Sequence, residues 1–180
     1  MLLLVTNLVF ISCDETSINS KEAETTGIGT FTYKGVEYST PNFDAIIYDE
    51  FDNDTFTGYD LVFYSEEMKL NKNDIWYYGN GNMVWLSIIT PEMNKLTAAE
   101  YNWDTLHLYS YADTVEPYTL HYGDIYIHSQ NLDEDIIDGK VTILVEGDAY
   151  TITYTAKLPD GNDITGDYTG KCNHYNGNYW

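Results

Sequence analysis

The side chains best equipped for chemistry in this chain are carboxylates, and they come in two dense groups. Asp49, Glu50, Asp52 and Asp54 crowd one segment; Asp133, Glu134, Asp135 and Asp138 crowd another. Calcium takes about six to eight hard oxygen ligands, so each segment is a weak calcium candidate. Neither carries the EF-hand pattern. Counting from Glu50 or Asp52, the sixth position is Thr55 or Thr57 instead of glycine, and no glutamate fills the twelfth. Solvated acidic loops are the expectation, with no bound metal and no cofactor. His107, His121, His128 and His174 show no ligand spacing. His121 and His128 differ by an odd number of positions, so one continuous strand would point them to opposite faces. For catalysis, a serine or cysteine nucleophile needs a partner base, and glycoside hydrolysis needs two carboxyls at a set distance. With 29 acidic residues, any pair of carboxylates can be imagined, so abundance carries no signal. The chain has no nucleophile elbow and no Gly-rich phosphate loop, and it reads as a non-enzyme.

Aromatic rings are the other resource. The chain has 18 tyrosines and 4 tryptophans, and Trp76, Tyr77, Tyr78, Trp85, Tyr101 and Trp103 fall close together. Strand alternation buries part of such a set as core. Rings left outside stack on sugar faces or enclose an apolar ligand. Trp76, Trp85 and Trp103 are the candidate ligand-binding aromatics.

Charge narrows the partners. The net charge is −21, and all 8 basic residues are lysines. Without arginine there is no planar fork for phosphate or guanine, and a polyanion repels nucleic acid. The same charge opposes a polybasic dock on anionic lipid, so any membrane attachment must be covalent.

The N-terminus suggests such an attachment. Leu2 to Ile11 is an apolar run, too short for the roughly 20 residues of a membrane-spanning helix but suited to a secretory signal. It ends at Ser12 and Cys13. A cysteine directly after a small residue at the end of such a run resembles the lipobox of bacterial lipoproteins, although no lysine or arginine precedes the run. The resemblance implies cleavage before Cys13 and acylation of its thiol. Cys172 then has no partner, which excludes a disulfide framework. Asp14 and Glu15 look like the export signal that sends Bacteroidetes lipoproteins to the cell surface. Asp104-Thr105-Leu106 and Asp113-Thr114-Val115 resemble the O-glycosylation acceptor of the same bacteria. The expected organisation is a signal peptide at 1–12, a lipidated cysteine with a flexible tether at 13–28, and a β-domain at 29–180.

The domain must be built from strands. Phe31 to Ser39 holds two alternating runs around Lys34-Gly35, a tight hairpin signal. Phe43–Tyr48 and Gly58–Tyr64 are apolar runs on either side of an acidic segment, and the aromatic arms around Gly79-Asn80-Gly81-Asn82 read as a further hairpin. Leu106–Ala112 and Tyr118–His128 are further strand candidates, and Pro91–Tyr101 could hold a helical turn or two. The last third gives three strands joined by Glu146-Gly147-Asp148 and Pro159-Asp160-Gly161. There Tyr150, Ile152 and Tyr154 should face the core, with Thr151, Thr153 and Thr155 outside. The tail Asn173–Trp180 could pair as a last strand.

This pattern predicts an all-β fold: a single antiparallel β-sandwich or flattened β-barrel of about nine or ten strands. A lipocalin/calycin-like barrel is the closest alternative. The stretch from Gly139 through Tyr150-Thr-Ile-Thr-Tyr154 to Ile164-Thr-Gly-Asp-Tyr-Thr-Gly170 resembles the C-terminal end of a broad group of Bacteroidetes lipoproteins, and so does Leu96-Thr-Ala-Ala-Glu-Tyr101. The resemblance implies a β-barrel or sandwich domain without an assigned activity. The expected protein is a lipid-anchored lipoprotein of the outer membrane facing the cell exterior. Its expected role is a non-catalytic binding or accessory module for a glycan or protein partner. The alternatives are a lipocalin-like carrier of a small apolar ligand and a purely structural surface protein; a filled interior or a cavity would separate module from carrier.

Overall fold

A computed structural model describes residues 27–48, 56–91, 96–103, 118–128, 130–131 and 136–177. The described residues contain no helix, and the chain is all-β. Cys13 and the acidic group Asp49, Glu50, Asp52 and Asp54 lie outside the described residues, as do Asp133 to Asp135, His107, Leu106–Ala112 and both acceptor-like motifs.

Among the described residues, twelve strands form one sheet. Its order begins with β14 (Asn173–Asn176), β3 (Asn42–Tyr48), β4 (Thr57–Tyr64), β7 (Met83–Thr90) and β9 (Thr119–Ile127). It continues through β8 (Ala99–Trp103), β11 (Asp138–Glu146), β12 (Ala149–Lys157), β13 (Asp163–Gly170) and β1 (Ile28–Tyr33) to β2 (Val36–Ser39). The short β10 (Gln130–Asn131) adds to β9, and β5 (Lys69–Asn71) with β6 (Trp76–Tyr78) makes a separate two-stranded sheet. The twelve-stranded sheet curls into a half-barrel.

Alternation explains the regular part. Tyr150, Ile152, Tyr154 and Ala156 of β12 are buried, while Thr151, Thr153 and Thr155 are exposed, as the period of two requires. The β1–β2 turn places Lys34 (φ 50°) and Gly35 (φ 76°) both in the left-handed region, the requirement of a type I′ hairpin. Curling brings β3 and β4 against β12 and β13. Phe43 stacks on Phe63 with ring centroids 4.8 Å apart, and Phe63 stacks on Tyr154 at 4.9 Å. Tyr168 closes on Phe43 at 5.2 Å. The space between the two halves of the sheet is thus occupied by rings.

The architecture departs from the sequence expectation in three ways. The sheet is mixed, since β14 runs parallel to β3 and β8 parallel to β9. The described residues hold fourteen strands, more than expected, since β5, β6, β10 and β14, at two to four residues each, are too short to show a period in the sequence. Of the helical-turn candidate Pro91–Tyr101, residues 92–95 lie outside the described residues, and its end belongs to strand β8, Ala99–Trp103.

A further departure concerns Gly79–Asn82. The arms on either side of this segment do not pair. β6 pairs with β5, and β7 pairs with β4 and β9. Residues 65–82 form an excursion between the paired strands β4 and β7, closed at its neck by two bonds. Ser65 N donates to the Asn82 carbonyl at 3.0 Å, and Asn82 N donates to Ser65 Oγ at 3.0 Å. A side chain on Gly79 (φ 124°) would fall 2.1 Å from the Glu67 carbonyl oxygen, and one on Gly81 would fall 2.2 Å from Ser65 Oγ. These glycines let two backbones cross at the neck of a flap.

Candidate functional site

The flap folds over the outer face of β3, β4 and β7, and that cover creates a second core. Ile46, Val62, Tyr64 and Met83 on the sheet pack against Met68 and Tyr77 of the flap. On β6 the alternation is strict: Tyr77 points inward and is buried, while Trp76 and Tyr78 are 60% and 54% exposed. The turn before Trp76 is strained. Ile75 sits at φ 48°, a conformation that costs a β-branched residue about 1–2 kcal/mol, and its side chain packs against the second core in return.

Beneath the flap lies Asp44, fully buried. Its carboxylate accepts hydrogen bonds from Tyr77 Oη at 2.6 Å, Asn173 Nδ2 at 2.9 Å and Tyr64 Oη at 3.2 Å. One side chain therefore joins the sheet, the flap and β14. Burial pushes the Asp44 carboxyl above the ordinary aspartate value, and the bonds from Tyr77, Asn173 and Tyr64 oppose that rise. Burial and the nearby Asp44 charge push the hydroxyls of Tyr77 and Tyr64 well above the usual tyrosine value, which keeps both as donors. Asp60, also buried on this face, accepts from Ser87 Oγ. Both carboxylates serve as internal acceptors here.

At the margin of the flap, Met68, Trp76, Tyr77, Gly79, Met83, Trp85 and Tyr126 line a concavity of about 180 Å³. Tyr77 and Trp85 meet edge to face, centroids 6.1 Å apart and planes inclined by 75°, so they form a corner. Of the three tryptophans singled out above, Trp76 and Trp85 converge here. Trp103 is not among the lining residues. It ends β8, packs partly buried against the main core, and holds a buried indole Nε1 without a hydrogen-bond partner among the described residues. The described residues contain no group of three or more His, Cys, Asp or Glu that could hold a metal. Asp138, from the second acidic group, is exposed at the start of β11. The Cys172 thiol is free, and burial raises it well above the ordinary cysteine value, which disfavours the thiolate.

Asp44 is the residue that sequence reasoning missed. Its signal was present as an isolated acid inside the apolar run Phe43-Asp44-Ala45-Ile46-Ile47. Comparison of the chain with protein-family models, with curated proteins and with solved structures finds no match.

Proposed function

We propose that this chain is a lipid-anchored lipoprotein of the outer membrane, facing the cell exterior, that acts as a non-catalytic binding module. It engages a glycan or protein partner through the concavity beside the flap. The observation that carries this reading is the convergence of Trp76 and Trp85 on one depression, with Trp76 held 60% exposed at the end of a strained turn. Tryptophan and tyrosine are enriched among the few residues that carry most of the binding energy at interfaces. The carrier alternative has less support, because rings of β3, β4, β12 and β13 occupy the interior where a carrier holds its ligand.

Anchoring rests on Cys13 at the end of the apolar run. Two or more acyl chains give stable membrane attachment where one does not. Intact-mass analysis should find a diacyl- or triacyl-cysteine at position 13, and Cys13→Ala should leave the membrane fraction; an unmodified thiol, or a variant still bound to membranes, refutes the anchor. Binding is tested by glycan array and pull-down with Trp76→Ala. The variant should lose partner capture with its circular dichroism unchanged, and full retention refutes the site.

A further inference from the structure

We propose that the concavity beside the flap receives a compact quaternary ammonium group. This rests on the binding-module reading above, takes the group to be a substituent borne by that partner, and names the chemistry of what enters the concavity. The first argument is size. At about 180 Å³ the space is below the roughly 300 Å³ at which pockets begin to enclose a drug-sized molecule, so it holds a head group.

The second argument is the character of the lining. Its side chains are two tryptophans, two tyrosines and two methionines, and no carboxylate, amide or aliphatic hydroxyl is among them. A sugar brings several hydroxyls that need converging polar partners, and a primary ammonium brings three donors. The Tyr77 hydroxyl is already committed to Asp44. A fully alkylated ammonium carries positive charge and no donor at all, so it requires no acceptor from the wall. Its charge is attracted by ring faces, with tryptophan the strongest. The edge-to-face corner of Tyr77 and Trp85, with Trp76 and Tyr126 completing the walls, surrounds a rounded cation better than it supports a flat pyranose.

The third argument is the field. The net charge of −21 enriches cations near the surface, and the Asp44 carboxylate stands directly behind the Tyr77 hydroxyl. Asp124, the register partner of Trp85, lies on the same outer face. Within the same part of the fold an ammonium already sits over a ring: Lys72 Nζ, in the flap turn, is 5.5 Å from the centre of Tyr175.

The test is a titration of the full lipidated chain in non-ionic detergent, read by calorimetry and tryptophan fluorescence. The ligands are tetramethylammonium, choline, the neutral choline isostere 3,3-dimethylbutan-1-ol, and a neutral disaccharide. Tetramethylammonium and choline should both bind. The neutral isostere should bind about tenfold more weakly or worse. Added salt should weaken only the cations. Trp76→Ala, at an exposed position, should reduce cation affinity about tenfold with the circular dichroism unchanged. Equal binding of the isostere, preference for the disaccharide, no cation binding, or cation binding indifferent to Trp76→Ala would each overturn the proposal. The module reading stands apart from these outcomes, since it falls only if Trp76→Ala retains full capture of the partner.

Discussion

Strands β4 and β12 line the same interior but follow opposite rules. In β12 only alternate residues are buried, and the outer face of Thr151, Thr153 and Thr155 meets solvent. In β4 every residue from Thr57 to Tyr64 is buried, and at Val62 and Tyr64 the cover on the outer face of the sheet is the flap. A sheet half covered on one side shows its facing in the sequence as alternation, while a half covered on both sides tends toward a continuous run. The second kind of half must also satisfy any polar group it covers, and Asp44 and Asp60 meet that requirement with Tyr64, Tyr77, Asn173 and Ser87.

The largest expected effect tests what the halves share. Phe63 and Tyr154 stack across the interior, so Phe63→Ala and Tyr154→Ala should each destabilise by about 3–5 kcal/mol from lost transfer energy plus a cavity. The double variant should fall short of additivity by about 0.5–1.5 kcal/mol, the worth of the ring pair itself. Urea midpoints of the three variants read this directly. Strict additivity would mean that the halves do not share a core.

Next is the device present only in the doubly covered half. Asp44→Ala leaves the buried hydroxyls of Tyr77 and Tyr64 and the half-buried Asn173 amide without this acceptor, and each buried group so left costs about 1–3 kcal/mol. Removing the buried charge returns part of that, so a net loss of about 2–4 kcal/mol is expected. The pH dependence has a definite sign. Burial raises the Asp44 carboxyl above 3.8, so the folded chain holds this proton to higher pH than the unfolded chain does. The cost of the buried charge is absent below the unfolded value and grows as pH rises through the folded one. The stability of the parent minus that of Asp44→Asn should therefore decrease as pH is raised from below 3.8 toward neutrality. Glu100 and Asp148 behave the other way. Hydrogen bonds from Lys140 and Lys171 lower these exposed carboxyls, so their small, salt-screened contribution is present at neutral pH and lost in acid. A parent-minus-variant difference that rises with pH would contradict the burial assigned to Asp44.

The same contrast explains what could be read from the sequence. Ala149 to Lys157 reads as a one-sided strand because Tyr and Ile alternate with Thr, and its facing follows from that alone. Lys34-Gly35 reads as a turn because its left-handed backbone is a local requirement. Trp76 and Trp85 were recognisable as candidates, but not as neighbours, because the crossing at Gly79–Asn82 that joins them looks locally like a hairpin turn. Asp44 was hidden for a related reason. An acid at an alternate position of a strand reads as solvent-facing until something covers that face, and the cover comes from residues 65–82 and from a four-residue parallel strand near the C-terminus. Non-local cover leaves no periodic trace.

The smallest effect is also the most direct comparison. Val62 of β4 and Thr153 of β12 both point away from the interior, on central strands of the same sheet. Thr153 is exposed, and Thr153→Ala should change stability by less than about 0.5 kcal/mol. Val62 is fully buried among Met68, Tyr64 and Tyr77. Val62→Ala removes two buried methyl groups, so about 2 kcal/mol should be lost. Hydrogen exchange separates the local from the global consequence. Because Val62 supports the flap, the amides of Trp76 to Tyr78 should exchange faster in Val62→Ala while those of β12 keep the order of protection they have in the parent. If Val62→Ala is as silent as Thr153→Ala, the flap does not pack on β4, and the two halves of the sheet follow the same rule after all.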